Sequence, residues 1–359
     1  PLHISIADVE HGLHLHALDA SRGFGRGYSH SRKSSGFERS WHFVGKSACR
    51  FCFVGCPSPR GVGICIWIQS LFVNHMGRTD SSNNFIPTLI VKMTPTFNLH
   101  LGTAPLLVSM PHLGTVLPDE LRSDYVPRAL EVEDADWHLN HLYNFLKDMG
   151  ASILTPVFSR YVIDLNRPPD DAPMYPGASN TELCPTRFFT GDPLYKDGCE
   201  PDAAEKLRRR ETYWQPYHQA LSQELIRLRS LHPNVLLWDA HSIRGEISWL
   251  FDGKLPDLNV GTANGLSAAE SVGVAVMEAC EQQKEFTHVL NGRFKGGYIT
   301  RCYGNPQGGI HAVQLEKCQS IYMSELPPYH YQPQLAAQVQ PLLHKMMLAA
   351  LNQVKLLSL

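Results

Sequence analysis

The stretch Leu236-Leu237-Trp238-Asp239-Ala240-His241-Ser242 is an apolar run that ends abruptly in Asp, Ala and His. It predicts a buried strand that carries an imidazole at its carboxyl end. A second apolar run, Leu106–Met110, is followed by Pro111 and His112 and then by a glycine turn. Open α/β sheets form their sites in the crevice beyond the carboxyl ends of their strands. Two histidines placed at two strand ends therefore predict a metal site.

The pattern around these runs alternates between strands and helices from Met93 onward. Apolar runs predict strands, and helical spacing of apolar residues predicts helices, the longest of which has Asp202 as its N-cap. The predicted strands are 106–110, 152–158, 235–239 and 288–290, and the predicted helices are 136–149, 201–230, 268–283 and 333–357. This alternation predicts an α/β fold, with a mostly parallel open sheet and helices on both faces.

The first 92 residues differ in composition from the rest of the 359. They hold ten Lys and Arg against five Asp and Glu, whereas the whole chain holds 32 against 34. They show neither helical nor alternating periodicity, and their apolar run Val62–Val73 is too short and too interrupted for a membrane span. We therefore predict a disordered or extraneous N-terminal extension over residues 1–92, a single α/β domain over 93–359 and no membrane partner.

The nine cysteines include one spacing that is typical of a metal site, Cys49-x2-Cys52-x3-Cys56, with Cys65 nearby. This spacing could hold zinc or an iron–sulfur cluster. Because no predicted secondary structure surrounds it, we favour unliganded thiols. The other five cysteines are scattered without motif spacing, and together the nine indicate reduced thiols in a cytoplasmic protein.

A hydrolytic zinc site needs three nitrogen or oxygen ligands and an open position for water. His112 and His241 are the candidate nitrogen ligands, because each follows a predicted buried strand and is flanked by small or turn residues. The third ligand is expected to be a carboxylate. Asp136 is the first choice, with Asp134 and Asp239 as alternatives. Asp136 could instead merely favour the dipole of the helix that it is predicted to begin.

Two segments concentrate groups that could bind a small acid. Residues 159–169 contain Arg160, Asn166 and Arg167. Guanidinium groups bind carboxylates in a bidentate manner, and an amide can support an oxyanion. The alternative is a loop closed by a salt bridge between Arg and Asp. Residues 291–301 set cations among glycines and lack the Gly-Lys-Ser/Thr ending of a nucleotide loop, which favours an anion-binding loop for a small acid.

The candidate general base is a carboxylate at the end of another alternating segment, His311–Glu316. A carboxyl group in this position could take a proton from an activated water. The alternative interpretation of Glu316 is a surface glutamate.

Seven separated motifs occur along the chain. They are Pro111-His112-x-Gly114, Asp136-Trp137-His138, Ser159-Arg160-Tyr161-Val162-x-Asp164-Leu165-Asn166-Arg167-Pro168, Tyr213-Trp214-x-Pro216-Tyr217-His218, Trp238-Asp239-Ala240-His241-Ser242, Gly292-Arg293-Phe294-Lys295-Gly296-Gly297 and Gln314-Leu315-Glu316. In this order they resemble the N-formylglutamate amidohydrolase family of histidine catabolism. The resemblance covers essentially everything after Met93 and nothing before it.

The resemblance implies a phosphorylase/hydrolase-like fold, similar to that of zinc exopeptidases. It implies hydrolysis of N-formyl-L-glutamate to formate and L-glutamate with a divalent metal, zinc being the first choice. The metal would be bound by His112, Asp136 and His241, and Glu316 would move the proton from water to the leaving amine. The groups implied to bind the substrate carboxylates and steady the oxyanion are Arg160, Asn166, Arg167 and Arg301. The chain departs from the exopeptidase pattern at Thr115, where a glutamate would be expected three residues after His112.

Other functions stay open from the sequence. The same scaffold could hydrolyse another N-acyl amino acid or a carboxypeptidase-like amide bond, or it could be a metal-free binding protein. A nucleic-acid module in the basic first segment is disfavoured, because that segment has no zinc-finger histidine spacing and no amphipathic helix. The expected partner is a small dicarboxylate, without nucleic acid or membrane, and the oligomeric state is open.

Overall fold

A seven-stranded sheet organises the described part of the chain, which in this computed structural model comprises residues 95–174 and 180–357. The strands are β1 (Phe97–His100), β2 (Leu106–Ser109), β3 (Ser152–Pro156), β4 (Val235–Ile243), β5 (Leu258–Gly261), β6 (His288–Leu290) and β7 (Ile310–Cys318). Their spatial order is β1-β3-β2-β4-β7-β5-β6. The pairs β2–β3, β2–β4, β4–β7 and β5–β6 are parallel, and β1–β3 and β5–β7 are antiparallel. The predicted mostly parallel open sheet is confirmed.

Helices cover both faces of this sheet, as predicted. They are α1 (Leu139–Leu142), α2 (Ala203–Arg209), α3 (Gln215–Leu231), α4 (Glu270–Glu281), α5 (Tyr298–Tyr303) and α6 (Pro333–Leu356). The apolar residues of α4 and α6 pack into one hydrophobic cluster, and those of α3 pack into a second. Burial of two separate clusters explains why the central strands are apolar on both sides.

Strand β4 is the centre of the sheet, and all nine of its residues are buried. It lies between β2 and β7, with Ser109 opposite Asp239 and Glu316 opposite His241. The strand extends to Ile243, four residues beyond the predicted end at Asp239. His241 therefore lies inside the strand, where pairing with Glu316 of β7 fixes its backbone.

The predicted helix over residues 136–149 is wrong. In its place lie the single turn α1 and a short 3-10 turn, Asn144–Leu146. His138 has a left-handed backbone with φ of 63°, which a continuous right-handed helix excludes. The amide of Asp136 donates instead to the carbonyl oxygen of His112 at 2.9 Å. The apolar residues of this segment are buried from short turns and not from one continuous helix, and Asp136 does not begin a helix.

The predicted helix over residues 201–230 forms, but a π-turn at Arg210–Trp214 divides it into α2 and α3. Its N-cap is the predicted one, since the side chain of Asp202 accepts the amide hydrogen of Glu205 at 2.8 Å. Pro216, which has no amide hydrogen, enters α3 directly after the π-turn. The missing donor removes one α-helical hydrogen bond at this point and favours the wider turn.

Several expectations lie outside the described residues. These are the extension over residues 1–92 and the thiols of Cys49, Cys52, Cys56 and Cys65, which stay predictions. The five other cysteines are free thiols.

Among the helices that the structure describes, none is both long and apolar enough to cross a membrane.

A pair of glycines tests how tightly the loop after β2 is packed. A Cβ atom at Gly114 would overlap the carbonyl oxygen of Phe158, two residues before Arg160, whereas one at Gly273 in α4 would meet Thr262 at an ordinary 3.6 Å. We expect Gly114→Ala to lower the free energy of unfolding by about 1–3 kcal/mol through overpacking. Gly273→Ala should raise it by about 0.5–1 kcal/mol, because alanine favours a helix interior. Urea unfolding of both variants measures this, and equal stabilities would contradict the close packing at Gly114.

Candidate active site

His112, Asp136 and His241 form a buried cluster at the carboxyl ends of the central strands. Their candidate ligand atoms all lie within 4.8 Å of one another. His112 follows β2, His241 belongs to β4, and the amide of Asp136 is tied to the carbonyl of His112. The three residues predicted as metal ligands thus come together across more than 120 positions of sequence.

Both imidazoles are oriented by a buried carboxylate on their outer side. Nε2 of His112 lies 2.7 Å from an oxygen of Asp164, and Nε2 of His241 lies 3.1 Å from an oxygen of Asp239. A carboxylate there selects the tautomer with the proton on Nε2, which leaves the lone pair on Nδ1. The two Nδ1 atoms face each other at 3.2 Å. Two lone pairs at this distance repel unless a proton or a cation lies between them.

The carboxylate of Asp136 completes the set. Its Oδ2 lies 3.2 Å from Nδ1 of His241 and 3.7 Å from Nδ1 of His112. Its Oδ1 is buried and has no hydrogen-bond partner among the described residues. Burial alone would raise the pKa of Asp136, but the two imidazoles hold it well below its usual range. An ionised, half-satisfied carboxylate beside two Nδ1 atoms fits a divalent cation.

The alternative ligands have other partners. Asp134 accepts hydrogen bonds from Arg244 at 2.8 Å, from the hydroxyl of Tyr161 at 2.9 Å and from the amide of Phe189 at 2.9 Å. Asp239 lies on the Nε2 side of His241, away from the atoms that face each other. Asp136 is therefore the carboxylate that the geometry favours as third ligand.

The charge around His241 also favours a cation. Burial disfavours a protonated imidazole, but the carboxylates of Asp239 and Asp136 outweigh this effect and raise the pKa of His241 to about 10. A pocket that attracts a proton so strongly also attracts a metal ion, which competes for the same lone pair.

Glu316 lies on β7, directly opposite His241 in the register of the sheet. It is buried and lines the same cavity as the cluster. Burial raises the pKa of Glu316 to about 7, which suits a group that accepts and returns a proton near neutral pH. The neighbouring Lys317, also buried, donates to the carbonyl oxygen of His241. The interpretation of Glu316 as a surface residue is wrong.

Arg160 lies beside the cluster. Its guanidinium donates to Asp164 at 2.6 Å and lies 3.1 Å from Nδ1 of His112, and it stacks on the ring of Phe189. The alternative prediction for this loop, a salt bridge between Arg and Asp, is thus also present. It does not remove Arg160 from the cavity, because the guanidinium still lines it.

Asn166 and Arg167 lie on the same wall. The side-chain oxygen of Asn166 accepts the amide hydrogen of Ile299 at 2.8 Å, while its Nδ2 lies 3.0 Å from Nε2 of His241. The Arg167 guanidinium donates to the carbonyl oxygen of Thr181 at 3.0 Å. Both residues line the cavity, so three of the four residues implied to bind substrate come together.

The structure does not bring Arg301 to this cavity. Its side chain is exposed, donates to the carbonyl oxygen of Gly296 at 2.8 Å and lines a separate cavity. Arg293, from the same glycine-rich segment, lines the cavity instead. The signal was present in the sequence as cations among glycines, but the spacing does not say which cation faces inward.

The cavity that these residues share encloses about 640 Å³, including its open mouth. It joins three arginines to an apolar wall of phenylalanine, leucine and isoleucine. Its lining consists of His112, Asp136, Arg160, Asn166, Arg167, Asn180, Thr181, Phe189, His241, Ser242, Ile243, Leu250, Arg293, Phe294, Gly297, Gln314 and Glu316. This combination of buried nitrogen and oxygen donors, a near-neutral carboxyl group and several guanidinium groups suits a small anionic substrate.

Comparison with known proteins identifies the family. The profile of the N-formylglutamate amidohydrolase family matches residues 104–323. An N-formylglutamate deformylase of Pseudomonas putida is 49% identical over 259 residues, which cover 72% of this chain and 97% of that protein. One from Pseudomonas aeruginosa is 44% identical over 255 residues, covering 71% and 96%. The chain belongs to the N-formylglutamate amidohydrolase family.

Solved structures share the fold. The crystal structure of N-formylglutamate amidohydrolase from Ralstonia eutropha JMP134 superposes with a TM-score of 0.61 at 23% identity, covering 72% of this chain and 97% of that one. A gene product of Agrobacterium tumefaciens gives a TM-score of 0.55 at 18% identity, covering 72% and 96%. The hydrolase-like fold expected from the sequence is confirmed.

The outer carboxylate of Asp239 provides a test of the cluster. We expect Asp239→Asn to weaken binding of Zn²⁺ about 10–100-fold, because outer carboxylates hold the imidazole and raise its basicity. Competition with a chelator of known affinity measures the change. Asp257→Asn, which alters a carboxylate bonded to Thr287, should leave the affinity unchanged. Equal affinities in all three proteins would contradict the assignment of His241 as a ligand.

Proposed function

We propose that this protein is a metal-dependent amidohydrolase that converts N-formyl-L-glutamate to formate and L-glutamate. The observation that carries the proposal is the buried cluster of His112, Asp136 and His241 in one cavity with Glu316 and several arginines. Support also comes from 49% identity to a relative named N-formylglutamate deformylase over nearly its whole length.

His112, Asp136 and His241 would hold the metal ion. Two imidazole nitrogens and one carboxylate oxygen are a donor set that suits zinc, which is the ion we propose. When bound, a divalent ion supplies Lewis acidity toward the formyl carbonyl and makes water acidic enough to act as a nucleophile near neutral pH.

Glu316 would act as the proton carrier. Its carboxyl group is buried in the cavity wall and its pKa is raised to about 7 by that burial. A group with this proton affinity can accept a proton from the attacking water and return it to the nitrogen of the leaving glutamate. The return matters because an amine is a poor leaving group while it is unprotonated.

The arginines would bind the anionic parts of the substrate. Arg160 lies within 3.1 Å of His112, and it is the guanidinium we assign to the oxyanion that develops on the formyl group. Arg167 and Arg293 lie elsewhere on the wall, and we assign them to the two carboxylates of the substrate. Asn166 would support the same oxyanion by donating a hydrogen bond from its Nδ2. Arg293 here takes the role that the family resemblance implied for Arg301.

We also propose a cellular location and a substrate preference. The five described cysteines are free thiols, which supports action in the reducing cytoplasm. The proposed preference for a dicarboxylate is supported by the two guanidinium groups, of Arg167 and Arg293, that line the cavity in addition to Arg160. Turnover of N-formylglutamate, N-acetylaspartate and a short peptide separates this substrate from the alternatives on the same scaffold.

Two variants test the proposed chemistry. We expect the purified protein to bind one Zn²⁺ per chain and to release formate from N-formylglutamate. His241→Ala should lose both the ion and nearly all turnover, because it removes a ligand. Glu316→Gln should keep the ion and lose at least about 100-fold in kcat, because it removes the proton carrier.

Metal analysis and formate release on the same samples decide between the outcomes. Full activity in His241→Ala would remove the proposed mechanism. Full activity in Glu316→Gln with bound metal would leave the metal site but remove the role of Glu316. A metal-free protein that binds N-formylglutamate without releasing formate would indicate a binding protein.

A further inference from the structure

The motif Tyr213-Trp214-x-Pro216-Tyr217-His218 has no part in the chemistry proposed above, and none of its residues lines the cavity. Trp214 ends the π-turn, and His218 lies one turn further on, in α3. Residues four apart lie on the same face of a helix. Their shared face packs against the loop that carries Asn166 and Arg167.

Both side chains hold backbone carbonyls of that loop. The indole N–H of Trp214 donates to the carbonyl oxygen of Arg167 at 3.0 Å. Nε2 of His218 lies 2.9 Å from the carbonyl oxygen of Leu165. Because a carbonyl can only accept, His218 must carry its proton on Nε2. The two bonds therefore fix the peptide groups on either side of the Asn166–Arg167 dipeptide.

The holding pair is itself rigid. The rings of Trp214 and His218 are stacked, with centroids 3.7 Å apart and planes 23° from parallel. Nδ1 of His218 lies 2.9 Å from the hydroxyl of Tyr303, which can donate to it. Burial lowers the pKa of His218 to about 4, so the ring stays neutral and keeps this tautomer near neutral pH.

The π-turn extends the contact along the loop. Two arginines at its start reach further carbonyl oxygens of the loop: Arg209, just before the turn, donates to Val162 at 3.2 Å, and Arg210, its first residue, donates to Pro169 at 3.2 Å. In an uninterrupted α-helix, Arg209 and Trp214 would point about 140° apart. The wider turn brings residues five apart closer to alignment, so that both reach the same loop.

Helix α5 holds the opposite side of the loop. The amide of Ile299 donates to the side-chain oxygen of Asn166 at 2.8 Å. The Asn166–Arg167 dipeptide is thus held from two helices, with its side chains at the cavity. An arginine gains affinity for a carboxylate when its backbone is fixed in advance, because less freedom is lost on binding.

We propose that Trp214 and His218 are positioning residues that fix the Asn166–Arg167 loop for capture of a substrate carboxylate. The inference rests on the proposed function for its substrate. It assigns to the aromatic motif an effect on substrate binding and not on the chemical step, since neither ring touches the reacting groups.

The main test is Trp214→Phe, which keeps an aromatic ring against His218 and removes the N–H donor. We expect KM for N-formylglutamate to rise about five- to tenfold, the effect of one lost hydrogen bond, with kcat changed less than about twofold. The bound Zn²⁺ should be unchanged. Trp249→Phe, a matched change at a tryptophan whose ring lies beside Gly191, should leave KM unchanged. His218→Leu, which removes the donor, should also raise KM. His218→Gln, which keeps a donor, should retain the low KM.

Hydrogen exchange of the peptide covering residues 162–169 gives a readout that does not depend on turnover. Exchange should be faster in Trp214→Phe than in the unaltered protein or in Trp249→Phe. Unchanged KM together with unchanged exchange would overturn the positioning role, as would a loss in kcat alone. An unaltered protein that releases no formate would refute the proposed function, and the exchange result would then decide the positioning role by itself.

Discussion

Two Nδ1 atoms that face each other at 3.2 Å in a buried place are the constraint on which the rest of the site depends. Each imidazole is turned inward by a carboxylate at its outer nitrogen, Asp164 for His112 and Asp239 for His241. Asp136 then adds a carboxylate oxygen that is unsatisfied among the described residues. Burying these groups without a counter-ion is costly, and a divalent cation between them removes the cost.

The sheet explains how distant parts of the chain meet at this point. β2, β4 and β7 are parallel, so their carboxyl ends bring His112, His241 and Glu316 to one edge. The loops between strands then add the groups proposed to bind a substrate, among them Arg160 and Arg167. A rigid sheet carries the proposed metal and proton chemistry, and the loops carry the anion binding. This division suits a fold whose loops can vary while its centre stays fixed.

Much of this could be predicted from the sequence, because buried strands are uniform in pattern. The run before His241 and the run before His112 predicted both histidines of the cluster, and the four predicted strands all form, whereas β1 and β5 were not predicted. The helix over residues 136–149 could not be excluded, since its apolar spacing is real and the left-handed His138 is a tertiary effect. The same limit applies to Arg301 and Arg293. Both belong to one glycine-rich segment. The spacing of its residues does not predict that the backbone turns Arg293 toward the cavity and Arg301 away from it.

The most direct test of the account is anomalous diffraction at the zinc edge from crystals of the protein grown with Zn²⁺. We expect one strong peak about 2.0–2.2 Å from Nδ1 of His112, Nδ1 of His241 and an oxygen of Asp136. A peak on the Nε2 side of either imidazole, or zinc bound at cysteine thiols while the three residues stay without it, would contradict the account.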